Sequence, residues 1–193
     1  MFRFQSQELP LNLINTEEMK RGRLVDSLSS ADNLKLWIQE MNANQLLEGY
    51  CSHTLKGLEV TREWLEEALP VIRDFRAMLR KGLEEMADHG VPEAGWVERL
   101  EAVLEKAPLI FKYAGSSLAA IPLEKGPLGL ISVIAYQTLT LYAEGKLQSV
   151  RRCSNPKCIW LFMDSTGKRK WCSMKICGNR MKAERHKQSV PTE

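Results

Sequence analysis

Four of the chain's five cysteines, Cys153, Cys158, Cys172 and Cys177, fall within 25 residues, in two close pairs separated by 13 residues. Pairs so spaced can aim four sulfurs at one point, which is the arrangement of a closed tetrahedral zinc site. The odd cysteine total argues against a disulfide framework. The start, Met1-Phe2-Arg3-Phe4-Gln5, has no charged segment leading into an apolar one, so no secretory signal is expected. Both observations suit a reducing cytoplasm. Four thiolates leave no position for water or substrate, so one structural zinc ion is expected. An iron–sulfur cluster and redox thiols are the alternatives.

The residues around the cysteines suggest how they are held. Ser154-Asn155-Pro156 is turn chemistry between the first pair. Trp160 and Phe162 then alternate with Leu161 and Met163 as in a strand. Asp164-Ser165-Thr166-Gly167 reads as a turn, and Lys168 to Trp171 is predicted to return as a second strand. Beyond Cys172 the chain is helix-compatible through about Gln188. Knuckle, hairpin and helix in that order make a treble-clef-like finger, with Cys177 in the helix's first turn, where the positive end favours a thiolate. A module this small needs its metal to fold.

Charge divides the chain at the same place. Residues 1–150 carry 16 Lys/Arg against 21 Asp/Glu, a net of −5, whereas residues 151–193 carry 11 against 3, a net of +8. A basic module on an acidic body points to a polyanion partner. On the expected helix, Met174, Cys177 and Met181 should face the hairpin. Lys175, Asn179, Lys182 and His186 form a polar stripe on another face, flanked by Arg180, Arg185 and Lys187. Arg151, Arg152, Lys168, Arg169 and Lys170 add cations from knuckle and hairpin. Lysine and arginine on phosphates supply affinity, while Asn179 or an arginine can read a base edge. The competing roles are structural: Asn179 as a local backbone cap, and Arg180 paired with a carboxylate of the body.

The body, residues 1–148, reads as mainly α with small hairpins. Leu9 to Thr16 holds a short helix, Arg23 to Leu28 a brief extended piece, and Ser29-Ser30-Ala31-Asp32 caps a helix through Leu34, Trp37, Ile38 and Met41. A helical stretch from about His53 to Ala87 should be divided by Pro70, since proline removes an interior hydrogen bond. Trp96, Val97, Leu100, Val103 and Leu104 share one helix face. Leu109–Tyr113 and Leu118–Leu123 suit a hairpin, and 128–143 a buried helix. No apolar run reaches the roughly 20 residues of a membrane span. Cys51 and His53 form an isolated pair, and His89 is expected at the surface. The body contains no phosphate-cradling glycine loop, nucleophile elbow or His-Glu-x-x-His helix, so a binding protein is expected rather than an enzyme.

At Trp171-Cys172-Ser173-Met174 and Cys177-Gly178-Asn179-Arg180 the sequence resembles the bacterial CGNR zinc finger, named for that tetrapeptide. Leu11-Asn12-Leu13-Ile14-Asn15-Thr16, Asp26-Ser27-Leu28 and Leu34-Lys35-Leu36-Trp37 resemble the opening of the ABATE domain, the finger's usual companion. The resemblance implies zinc on Cys153, Cys158, Cys172 and Cys177, a finger over residues 149–193 that binds DNA, and a role in stress-induced transcriptional regulation. It leaves RNA as the alternative nucleic acid, and homodimerisation or an unidentified small ligand as the work of the N-terminal domain.

Overall fold

The fold is taken from a computed structural model that describes residues 2, 6–47, 60–114 and 117–189. The isolated Cys51 and His53 lie outside the described residues. Helix α1, Leu9–Ile14, has all six residues buried. A helix buried on every side belongs at the centre of a core, and α1 contacts the two longest helices of the body among the described residues. Strands β1 (Glu17–Lys20) and β2 (Arg23–Asp26) follow as an antiparallel hairpin with Lys20 opposite Arg23. The extended piece expected at Arg23–Leu28 thus has a partner that patterning did not reveal. Helix α2, Ala31–Ala43, begins at Ser30, whose hydroxyl accepts from the Asn33 amide, and buries Leu34, Trp37, Ile38 and Met41.

Helix α3, Arg62–His89, is the spine of the molecule. It starts at Thr61, whose hydroxyl accepts from the Trp64 amide at 3.2 Å, and ends at Gly90, with φ of 77° and its amide on the Met86 carbonyl. Pro70 does not divide it, contrary to the sequence expectation. Pro70 and Glu66 both lie on the exposed face, where water can satisfy the carbonyl that proline leaves without a donor. The opposite face, with Leu65, Ala68, Ile72, Phe75, Leu79, Leu83 and Met86, is buried and holds the helix in place.

Helix α4, Trp96–Lys106, presses against α3 at a glycine: a Cβ on Gly82 would stand 2.1 Å from the Trp96 indole nitrogen. That indole donates to the Met78 carbonyl at 3.3 Å. The second hairpin, β3 (Leu109–Ala114) with β4 (Ser117–Pro122), forms as expected. Helix α5, Pro127–Ala143, buries Leu130, Ile131, Val133, Ile134 and Ala135. The Glu124 carboxylate caps it by accepting from the amides of Gly126 and Gly129. Among the described residues no helix is long and apolar enough to cross a membrane. The architecture is mainly α, with three two-stranded sheets among the described residues.

A 3₁₀ turn at Lys146–Ser149 leads into the third hairpin, β5 (Val150–Arg152) with β6 (Leu161–Met163). The chain closes with a π-turn, Met174–Gly178, and helix α6, Asn179–Ser189. The return strand expected at Lys168–Trp171 does not form. The Asp164 carboxylate accepts from the amides of Thr166 and Arg169, which folds that segment into a loop. The partner of β6 is the strand before the first cysteine instead.

Residues of this terminal segment enter the same core as the body. Val150, Cys153, Trp160, Leu161, Phe162, Cys172 and Cys177 are buried together with the leucines of α1 and the apolar face of α3. Polar links fix the docking. The buried Asn15 side chain donates to the Leu161 carbonyl at 2.8 Å and accepts from the Leu161 amide at 3.1 Å, completing β6 as a neighbouring strand would. The Trp160 indole donates to the Glu17 carbonyl at 2.7 Å. Arg80 donates to the carbonyls of Ile14 and Ile159 and pairs with Glu17 and Glu84. One turn earlier, Arg76, 4% exposed, makes two 2.7 Å bonds to Asp26 and a third to the Thr16 hydroxyl. Burial alone would raise the Asp26 pKa, but Arg76 and Arg73 outweigh it and hold the carboxyl below its ordinary value.

Candidate metal centre

The first cysteine pair is set by the β5–β6 hairpin. Its Cys153 amide donates to the Trp160 carbonyl, and the Cys158 amide to the Asn155 carbonyl, so the five-residue step folds back on itself. Asn155, 1% exposed, organises that turn: its side-chain oxygen accepts from the Lys157 amide at 3.0 Å, and its side-chain nitrogen points at the Cys177 sulfur, 3.4 Å away. Ser154-Asn155-Pro156 is legible in the sequence as turn chemistry, whereas the contact with a sulfur is visible only in the fold.

The second pair is delivered by the loop after β6. Asp164 takes the Thr166 hydroxyl at 2.7 Å and the Arg169 amide at 2.7 Å, and Gly167 adopts φ of 67° to close the bend. The Thr166 hydroxyl, followed by the Arg169, Thr166 and Gly167 amides, holds the Asp164 carboxyl below its usual value. The Cys172 amide then donates to the Cys153 sulfur at 3.5 Å. In the π-turn, the amides of Cys177 and Gly178 both reach the Ser173 carbonyl, and Cys177 is 1% exposed. An extra residue in one helical turn re-aims a side chain, and here it directs Cys177 at the cluster.

All four sulfurs lie within 4.8 Å of one another, and Cys158 and Cys172 are 3.9 Å apart. Zinc–sulfur bonds of about 2.3 Å in a tetrahedron require sulfurs about 3.8 Å apart. The separations are too long for a disulfide, whose sulfurs stand about 2.05 Å apart, and they fit one zinc ion. Without a cation the sulfurs share their protons unevenly. Contacts with Cys158 and Cys172 hold the Cys153 thiol well below its ordinary value. The Cys153 contact and burial outweigh a lowering contact from Cys172 and leave Cys158 pushed up to about 12, and contacts with Cys153 and Cys158 push Cys172 up as well. A doubly charged ion reverses that balance and stabilises the thiolates. Residues 149–189 match the family model of the CGNR zinc finger. No curated protein matches the chain. The four candidate ligands are all protein sulfurs, so a zinc ion held by them would have a closed shell and serve structure.

The cations expected around the finger fall into distinct settings. Arg152 is engaged by the body, with bonds of 2.6 and 2.7 Å to Asp88 and a 3.5 Å contact to Glu84. The Arg152 bond is the main cause holding the Asp88 carboxyl below its normal range. Arg169 is a strut: its guanidinium lies 4.6 Å from the Phe162 ring centroid and donates to the Cys172 carbonyl at 2.6 Å. Arg151 is exposed and donates to the carbonyls of Gln148 and Val150. Lys168, Lys170, Lys175, Asn179 and Lys182 are exposed, and among the described residues the four lysines meet no carboxylate. Arg180 is half-buried and likewise unpaired there. Met174, expected to face the hairpin, is 53% exposed instead, because the π-turn rotates it out of register with Cys177. Arg185, His186 and Lys187 lie on the backbone of α6, with side chains outside the described residues.

Proposed function

We propose that this protein is a cytoplasmic DNA-binding transcriptional regulator acting in a stress response. In this reading the zinc-structured finger holds nucleic acid, and the N-terminal domain senses a ligand or dimerises. The observation that carries the reading is the pairing of a closed metal shell with exposed Lys168, Lys170, Lys175 and Lys182, which have no carboxylate partners among the described residues. A metal without an open position does no chemistry of its own, so the role assigned is binding rather than turnover. Lysines left free of internal partners are available to phosphates, and exposed Asn179 stands among them as a candidate base reader. Titrating the zinc-loaded chain with duplex DNA over a salt series should give a linear log–log loss of affinity, about 0.9 per phosphate neutralised. A parallel RNA titration separates the two nucleic acids. No retention of either at low salt overturns the proposal.

A second reading, a zinc-stabilised interaction protein, draws on the β3–β4 hairpin, where Phe111, Tyr113 and Leu118 are 48%, 76% and 68% exposed. Apolar side chains clustered on one exposed hairpin suit a protein partner. Sedimentation of the wild type beside Phe111→Ser tests it: a dimer lost on substitution, with no DNA retention by either, favours this reading.

A further inference from the structure

A cleft of about 830 Å³ opens between the β1–β2 turn of the body and the knuckle and α6 of the finger. Met19 and Ile159 are among its lining residues, and four others are cations: Lys20 and Arg21 from the body, Lys157 and Arg180 from the finger. Lys20 pairs with Glu18 and Lys157 with Glu184. Arg21 and Arg180 have no ion-pair partner among the described residues. Arg180 is half-buried, a setting in which an unpaired guanidinium calls for an anion.

The turn itself points the same way. Arg21 and Gly22 form the two-residue link of the hairpin with φ of 51° and 76°. Such a turn favours asparagine, aspartate or glycine at both central positions, yet an arginine occupies the first. A large side chain held where its backbone is disfavoured suggests a use for it. Arg180 stands in the first turn of α6, between the exposed Lys175 and Lys182 in sequence.

We propose that this cleft binds a backbone phosphate of nucleic acid that runs from the finger onto the β1–β2 turn, with Arg21 and Arg180 as its two clamps. The inference rests on the nucleic-acid reading above and adds the body to the contact surface, which the sequence had confined to residues 151–187. Arginine suits the role because its planar fork can meet two phosphate oxygens at once.

The test uses the full zinc-loaded chain and duplex DNA over a salt series, with zinc content and melting temperature as folding controls. Arg21→Asn keeps a residue tolerant of positive φ while removing the charge. It and Arg180→Gln should each weaken binding and flatten the log–log salt slope, and the double variant should flatten it by about 0.9 in all, the one phosphate that the two arginines share. Arg21→Lys should retain the wild-type slope. If Arg21→Asn binds as the wild type does while Lys182→Gln weakens binding, the finger acts alone and the clamp is overturned, with the regulator reading intact. If Arg21→Asn weakens binding of inorganic phosphate but not of DNA, the cleft is a small-anion site and the clamp is again overturned. A wild type that retains no DNA removes both.

Discussion

Asn155 shows how much one side chain contributes to the metal centre. It closes the knuckle through the Lys157 amide and directs an N–H at the Cys177 sulfur across 22 residues of sequence. Hydrogen bonds to a ligand orient it and tune its charge, and losing one typically weakens metal affinity about 10–100-fold. Asn155→Ala should therefore lose zinc to a chromophoric chelator at a correspondingly lower concentration, with the four cysteines still present. The ligands themselves are legible in the sequence, because cysteines cluster at such spacing for few reasons other than a metal. Asn155 is not, since asparagine before proline is common turn chemistry whatever its side chain touches. Arg152 and Arg169 also read from sequence as two cations of one surface. Asp88 on α3 and the Phe162 ring, which decide their roles, are visible only once the chain is folded.

Between elements, α3 is tied to the first hairpin by Arg76 and Asp26. Arg76 is buried and held bidentately by Asp26, so removing the carboxylate charge leaves a guanidinium with Glu17 and Thr16 alone. Asp26→Asn should cost about 3 kcal/mol in denaturant unfolding, the low end for breaking a buried pair. The folded Asp26 carboxyl lies below its ordinary value of 3.8. Its stabilisation is therefore complete above that pH and fades as pH falls through the folded value. The acid limb of stability against pH should be shallower in Asp26→Asn than in the wild type. Helices were legible wherever apolar spacing and caps agreed, as at Ser30 and through 128–143. Pro70 misled because an exposed proline can be accommodated by solvent, and the expected strand at Lys168–Trp171 failed because Asp164 takes amides that a sheet would need.

At the scale of the molecule, finger and body share a core. Trp160, Leu161 and Phe162 are buried with α1 and α3 residues, and Asn15 completes the edge of β6. Metal removal should thus be felt well beyond the cysteines. Chelation is expected to lower the melting temperature of the whole chain, read by helical circular dichroism, and not only to alter the last forty residues. A helical signal that melts unchanged after zinc loss would contradict this coupling. Sequence distance hides it: Asn15 and Leu161 stand 146 residues apart, and no local pattern marks an amide side chain that serves as a strand.

The Asn15 clasp also limits what can be done with the C-terminal segment as a cassette. Grafted onto another carrier, it would present Trp160, Leu161 and Phe162 to water and leave both backbone groups of Leu161 seeking partners. A transplant that carries α1 and the β1–β2 hairpin along with the finger has the better prospect of remaining soluble.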